Sequence, residues 1–172
     1  MQTAALFVTT CILSVRYWPA LAVQFRRPGF GHWSAWAGVA MLAPLLAANF
    51  YYHGLMRHLG GVEGLKVEEL GQQLGQGFLI FMFCVAPAVI EEIGFRGLLQ
   101  HWLHIAVRPA TAIMLASALF TVMHFTIISA PYIFAVGMLL GWTRWKSGSL
   151  YPSMLIHFLH NFVVVVYFSG WW

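Results

Sequence analysis

Glu91 and Glu92 stand side by side, with Arg96 four residues on, inside an apolar run that extends from Gly77 to Leu103. A charged side chain near a bilayer midplane costs about 3 kcal/mol on insertion scales. A chain that places three of them so close together keeps that charge for a purpose. Glu92 and Arg96 are i, i+4 and within reach of an ion pair, whereas Glu91 is turned about 100° away on a helix. The division this suggests is Glu92 with Arg96 inside the helix packing and Glu91 toward a cavity. Two further i, i+4 pairs carry polar groups: Phe120 with His124, and His157 with Asn161. A carboxylate and an imidazole around one water can activate it for attack on a carbonyl, the carboxylate taking the proton while a pair of donors stabilises the oxyanion. In that scheme Glu91 is the base, His124 orients the water, and His157 and Asn161 are the donors. In lipid, the fitting substrate is a peptide bond brought in from an interface or another helix.

The bland alternatives differ from residue to residue. Glu92 and Arg96 serve equally well as a structural ion pair that locks helices together. Glu91 has no second intramembrane cation to pair with, which favours a role in chemistry. His160 lies one turn along from His157 but is read as rotated off the His157–Asn161 face, and is left out. His101 and His104 sit near a span boundary and are expected to face headgroups. Arg16 either snorkels or lines a cavity.

The rest of the chain sets these groups in depth. Of 172 residues, 60% are hydrophobic and only 8% are charged, with a mean hydropathy of +0.76. Soluble domains carry about 25% charged residues, so lipid solvates most of this chain. A helix needs about 20 residues to cross a hydrocarbon core of about 30 Å. Apolar stretches of suitable length fall at 3–25, 33–52, 77–103, 110–129, 131–145 and 149–169. The first contains Arg16 and the fifth is short. Arg26-Arg27-Pro28-Gly29, Arg108-Pro109, Ala130-Pro131 and Lys146-Ser147-Gly148-Ser149 punctuate them. With these bounds Glu91, Glu92, His124 and His157 lie within about a turn and a half of one level, at 1.5 Å per residue. The expected fold is an all-α polytopic membrane bundle of about six transmembrane helices, with a polar catalytic cavity among the last four. It forms one domain, 1–172, in which 1–76 holds N-terminal helices and a polar loop and 77–170 the motif-bearing core.

The loop at 55–76, with Arg57, Glu63, Lys66, Glu68 and Glu69, reads either as an interfacial helix broken by glycine or as a solvated connection. Its apolar residues are Leu55, Leu59, Val62, Leu65, Leu70 and Leu74. Arg26, Arg27, Arg108, Arg144 and Lys146 fall on one side of the spans and Arg57 and Lys66 on the other, so the positive-inside rule puts both termini outside the cytoplasm. Trp33, Trp36, Trp142, Trp145, Trp171 and Trp172 cluster near span ends, as an aromatic belt does. The net charge of +4 comes from few charges and reflects orientation, not nucleic-acid binding. Cys11 and Cys84 lie in apolar runs and are not expected to form a disulfide. No positively charged n-region precedes the first apolar run, so no cleaved signal peptide is expected.

Competing chemistries can be checked against the letters. The chain has no aspartate, no His-Glu-x-x-His and no Gly-x-Ser-x-Gly. That excludes the paired-Asp intramembrane mechanism and the common zincin arrangement. No cofactor or metal is expected, although a zinc site built from Glu91, His124 and His157 stays open, two histidines and a carboxylate being a catalytic ligand set. A non-enzymatic carrier or immunity protein, its polar core binding a proton or ligand, is the alternative from another class.

Glu91-Glu92-Ile93-Gly94-Phe95-Arg96 resembles the Glu-Glu-x-x-x-Arg motif of the CPBP family, the CAAX-protease and bacteriocin-processing (Abi) membrane proteins. Phe120-Thr121-Val122-Met123-His124 is similar to its Phe-x-x-x-His motif. The stretch Ser147 to Pro152, followed by His157-Phe158-Leu159-His160-Asn161, is similar to the segment leading into its His-x-x-x-Asn motif. All three occur in the family's order, over residues 80–165. The resemblance implies a glutamate-dependent intramembrane endopeptidase with a helical core of four spans. It implies that Glu91 activates water with His124, that His157 and Asn161 carry the oxyanion, and that Glu92 and Arg96 support them. The family's older, metal-dependent description corresponds to the zinc alternative. Its members act on prenylated C-termini, bacteriocin leaders or C-terminal sorting tags. With two spans before the first motif, this chain fits a compact processing enzyme of a bacterial cytoplasmic membrane, acting on a membrane-anchored C-terminal tag or leader peptide.

Overall fold

A computed structural model describes the backbone of residues 2–58 and 67–169. Among these residues every regular element is helical, and we number eight. They are α1 (Gln2–Arg16), α2 (Trp18–Phe25), α3 (Trp33–His58), α4 (Val67–Leu74), α5 (Gln76–Ala106), α6 (Pro109–Val122), α7 (Ala130–Ser147) and α8 (Tyr151–Ser169). Trp33–Met56, Gln76–Ala106 and Tyr151–Phe168 are each long and apolar enough to cross a membrane. The α1–α2 pair, α6 and α7 supply the shorter or more polar remainder of the expected bundle. The first stretch is not one rod: it breaks at Tyr17, and Pro19 opens α2, a position where proline's missing N–H costs nothing.

Of the polar segment 55–76, Val67–Leu74 is helical, and Gly75 at φ 84° ends it, a backbone angle only glycine adopts freely. Glu63 and Lys66, with Leu59, Val62 and Leu65, lie outside the described residues, as do the side chains of Arg57, Glu68 and Glu69 and all of Trp171 and Trp172. Cys11 and Cys84 are both free thiols. Trp33 packs edge-to-face on Trp142 with ring centroids 5.6 Å apart, so the start of α3 and the end of α7 share one aromatic level.

The site is framed by α5, α6, α7 and α8, with α3 closing one side. Two polar side chains of α5 fasten it to α7: Arg96 donates to the Gly137 carbonyl at 3.2 Å and Gln100 to the Gly141 carbonyl at 3.0 Å. Those glycines are four apart, so both carbonyls lie on one face of α7, and neither residue has a side chain to hold the partner off. A Cβ on Gly137 would lie 3.0 Å from the Ser117 Cβ of α6, and one on Gly141 would lie 2.9 Å from the Gln100 Oε1. Small residues here set the helix spacing, and the buried polar groups fix the register.

A second clamp ties α2 to the core. Gln24 donates to the Gly97 carbonyl at 2.9 Å and accepts from Arg144 at 2.7 Å. Arg144 is buried. Counted among the cations near the span ends, it has its guanidinium taken up by this glutamine. His104, expected to face headgroups, departs from that expectation, since its Nε2 is buried with no hydrogen-bond partner among the described residues. Arg16 is exposed, beside the ring of Tyr17.

Candidate active site

Helix α5 is not α-helical throughout. Phe81–Val85 and Glu92–Leu99 wind as π-helix, a local widening that recurs at functional sites. The second widened turn begins at Glu92. Glu92 accepts from Arg96 at 2.8 Å through Oε1, and the same oxygen accepts from His157 Nδ1 at 3.0 Å. Both charged side chains are wholly buried, at 0% and 1% exposure. The Arg96 guanidinium also lies over the Phe120 ring, 4.4 Å from its centroid. A buried charge must be paired and hydrogen-bonded to persist, and here the carboxylate, the guanidinium and the imidazole satisfy one another.

A carboxylate only accepts, so His157 Nδ1 carries a proton. Its other nitrogen, Nε2, lies 3.8 Å from Oε2 of Glu91. Glu91 and Glu92 therefore face the two ends of one imidazole, the arrangement that their 100° separation on α5 produces. His157 also lines a cavity of about 220 Å³ together with Phe120, His124, Tyr132, His160 and Asn161. Glu91 does not itself line that cavity; it meets it through His157. This differs from the expectation of a carboxylate pointing into the hollow: its Oε2 lies against the His157 ring, which α8 brings across, and the side chain stays partly exposed.

His124 departs from its expected setting. The fourth span was expected to run helical through 129, but α6 ends at Val122. His124 N–H bonds to Thr121 and Phe125 N–H to Val122, each three residues back, and Phe125 takes a left-handed φ of 50°. Tightening of this kind ends a helix. The His124 ring still meets Phe120, with centroids 4.5 Å apart, and its Nδ1 donates to the Phe120 carbonyl at 2.8 Å. In the neutral ring that bond leaves Nε2 as an acceptor.

Asn161 also differs from expectation. Its Nδ2 donates to the Phe83 carbonyl at 3.0 Å, and its Oδ1 accepts from His160 Nδ1 at 2.8 Å. The residue expected to be off the face, His160, lies in the cavity wall and accepts from the Tyr132 hydroxyl at 2.6 Å. The correction is one of helical geometry. Residues i+3 and i+4 lie at roughly −60° and +40° from residue i, so His160 and Asn161 flank His157 on a common face. Asn49 and His53 of α3 complete the polar wall. Their signal in the sequence was another i, i+4 polar pair, at the end of the second apolar stretch and the residue just beyond it. Among the described residues no three His, Cys, Asp or Glu side chains are placed to hold one metal ion.

Apolar helices packed around a buried Glu92–Arg96 pair, beside a cavity lined by several imidazoles, define an integral-membrane protein with a polar centre. A model of the type II CAAX prenyl endopeptidase Rce1-like family matches residues 73–163, more than half of the chain, and spans every group just described on α5 to α8. The chain belongs to that family and is a membrane-embedded peptidase. No curated protein and no solved structure matches it.

Proposed function

We propose that this protein is a glutamic-type intramembrane endopeptidase that cleaves a peptide bond of a membrane-associated substrate with a water activated by Glu91 and His124. The observation that carries this reading is the position of His157. One ring nitrogen is anchored on the buried Glu92–Arg96 pair, the other faces Glu91, and the ring forms part of the cavity wall. In the mechanism, Glu91 takes the water proton and His124 holds the water through Nε2, which its bond to Phe120 leaves free. His157 faces the developing oxyanion through Nε2, which must carry a proton beside the one on Nδ1 to donate there. Asn161 offers the second N–H of its amide, the first being spent on Phe83. Glu92 and Arg96 hold His157 in place. The proton taken by Glu91 passes to the leaving amine, as microscopic reversibility of the acid–base step requires.

The family's name points to substrates at a membrane surface. We take the substrate to be a membrane-anchored protein or peptide, a C-terminal sorting tag or a leader peptide being the fitting class for so compact a protease of a bacterial cytoplasmic membrane. The purified protein in detergent, given membrane-anchored reporter peptides, is expected to cleave them in strong chelator. His124→Ala should lose on the order of 100-fold in kcat while keeping its thermal transition. Activity that vanishes with chelator and returns with zinc would instead assign the same Glu91, His124 and His157 to a metal.

A further inference from the structure

Four groups beside the cavity form one directed chain of hydrogen bonds. Its direction follows from chemistry at one end. The Phe83 carbonyl can only accept, so the amide atom of Asn161 that faces it at 3.0 Å is the nitrogen. The other amide atom is then the oxygen, which can only accept, so His160 Nδ1, 2.8 Å away, carries a proton. In the neutral ring Nε2 is left to accept, and the Tyr132 hydroxyl donates to it at 2.6 Å. The chain therefore runs from Tyr132 of α7 through His160 and Asn161 of α8 to Phe83 of α5. The terminal acceptor lacks its usual α-helical donor for a reason written in the sequence. In an uninterrupted α-helix the Phe83 carbonyl would accept from the N–H of residue 87, which is a proline and has none.

We propose that Tyr132 and His160 are positioning residues that fix the orientation of the Asn161 amide, so that one Nδ2 proton is spent on Phe83 and the other is presented to the cavity. Without Tyr132 and His160 only the Phe83 bond opposes a flip of the amide, which would present its oxygen and repel an oxyanion. With it, every donor has an acceptor in one consistent order, and chains of this kind polarise one another and stiffen. The inference deepens the oxyanion role proposed above and rests on that reading for its catalytic consequence. The hydrogen-bond order itself does not.

Two measurements on the whole protein in detergent test it. In the first, Tyr132→Phe is expected to lower kcat on the order of tenfold with KM unchanged, the size of effect that loss of one hydrogen bond allows. His160→Gln should do the same. In an Asn161→Ala background, Tyr132→Phe should have no further effect beyond about twofold. An equal loss in both backgrounds would show that Tyr132 does not act through Asn161, and would overturn the proposal. The second is ¹⁵N NMR of the histidine-labelled protein, with His160 assigned by difference from His160→Gln. A neutral ring protonated on Nδ1 is expected, with a mixed tautomer in Tyr132→Phe. A ring protonated on Nε2 would overturn the chain. A wild-type protein without peptidase activity on any reporter defeats the protease reading instead, and the NMR result then still decides the orientation.

Discussion

At the scale of single residues, the two adjacent glutamates are chemically distinct because of what each touches. Glu92 is sealed in with Arg96 and His157, so removing its charge strands a buried guanidinium. Breaking such a pair costs about 3–5 kcal/mol. Glu92→Gln should therefore lower the thermal transition in detergent by many degrees and, by releasing His157, abolish activity. Glu91 has no hydrogen bond within the described structure, only the 3.8 Å approach to His157, so Glu91→Gln should unfold with the wild type while losing activity. Thermal scans of the two variants side by side check this; equal destabilisation would contradict it. The assignment of Glu92 to the packing was legible in its i, i+4 spacing from Arg96. The Asn161 bond to Phe83 was not, because it depends on which turn of α5 the packed bundle sets against α8. His160 was legible and was passed over, since i+3 is as close to a helical face as i+4.

At the scale of elements, α5 carries the site because it is irregular. Pro87 and the π-wound turns on either side of Ala86–Glu91 interrupt the i→i−4 ladder, and interruptions of this kind arise where a proline or an inserted residue breaks it. Pro87→Ala restores an N–H that competes with Asn161 for the Phe83 carbonyl. It should lower kcat on the order of tenfold and leave the thermal transition unchanged or higher, which steady-state kinetics and a melting curve read together. The close approach of α5 to α7 makes a separate prediction. Gly141→Ala would put a Cβ 2.9 Å from both Gln100 and Ile113, and overpacking of this sort costs about 1–3 kcal/mol; the melting temperature in detergent measures it. Apolar length and punctuation located α5 and α8 in the sequence within three residues and the start of α3, which runs six residues past the expected end at 52. They misplaced the end of α6, because Thr121 to Ile128 remain apolar enough to read as helix while three-residue bonds and a left-handed Phe125 stop it. The glycines of α7 that admit Arg96 and Gln100 were present in the sequence as a four-residue repeat, whose partner side chains only the packed bundle identifies.

At the scale of the whole molecule, the polar groups form two separated tiers. One is the cavity tier of Glu91, Glu92, Arg96, His157 and their neighbours. The other joins Gln24, Gly97 and Arg144, where α2 is fastened to the core. With Arg144 taken into that tier, Arg26, Arg27, Arg108 and Lys146 remain as exposed cations on that side of the spans. The positive-inside rule applied to them gives the expectation that both termini lie outside the cytoplasm. A phosphatase fused after Trp172 should therefore be active in intact bacterial cells, and one inserted between α2 and α3 inactive; the reverse pattern would invert the topology. The class of fold was readable from composition together with the length of the apolar stretches: few charges leave helices or closed barrels as ways to satisfy a backbone in lipid, and stretches of about 20 residues fit helices. The meeting of α5 with α8 at His157 was readable only as a coincidence of depth. The most direct test of the account is single-turnover cleavage of a membrane-anchored reporter by Glu91→Gln, run beside the wild type at equal folded concentration. We predict a loss on the order of 1,000-fold; cleavage by Glu91→Gln at the wild-type rate would contradict the account.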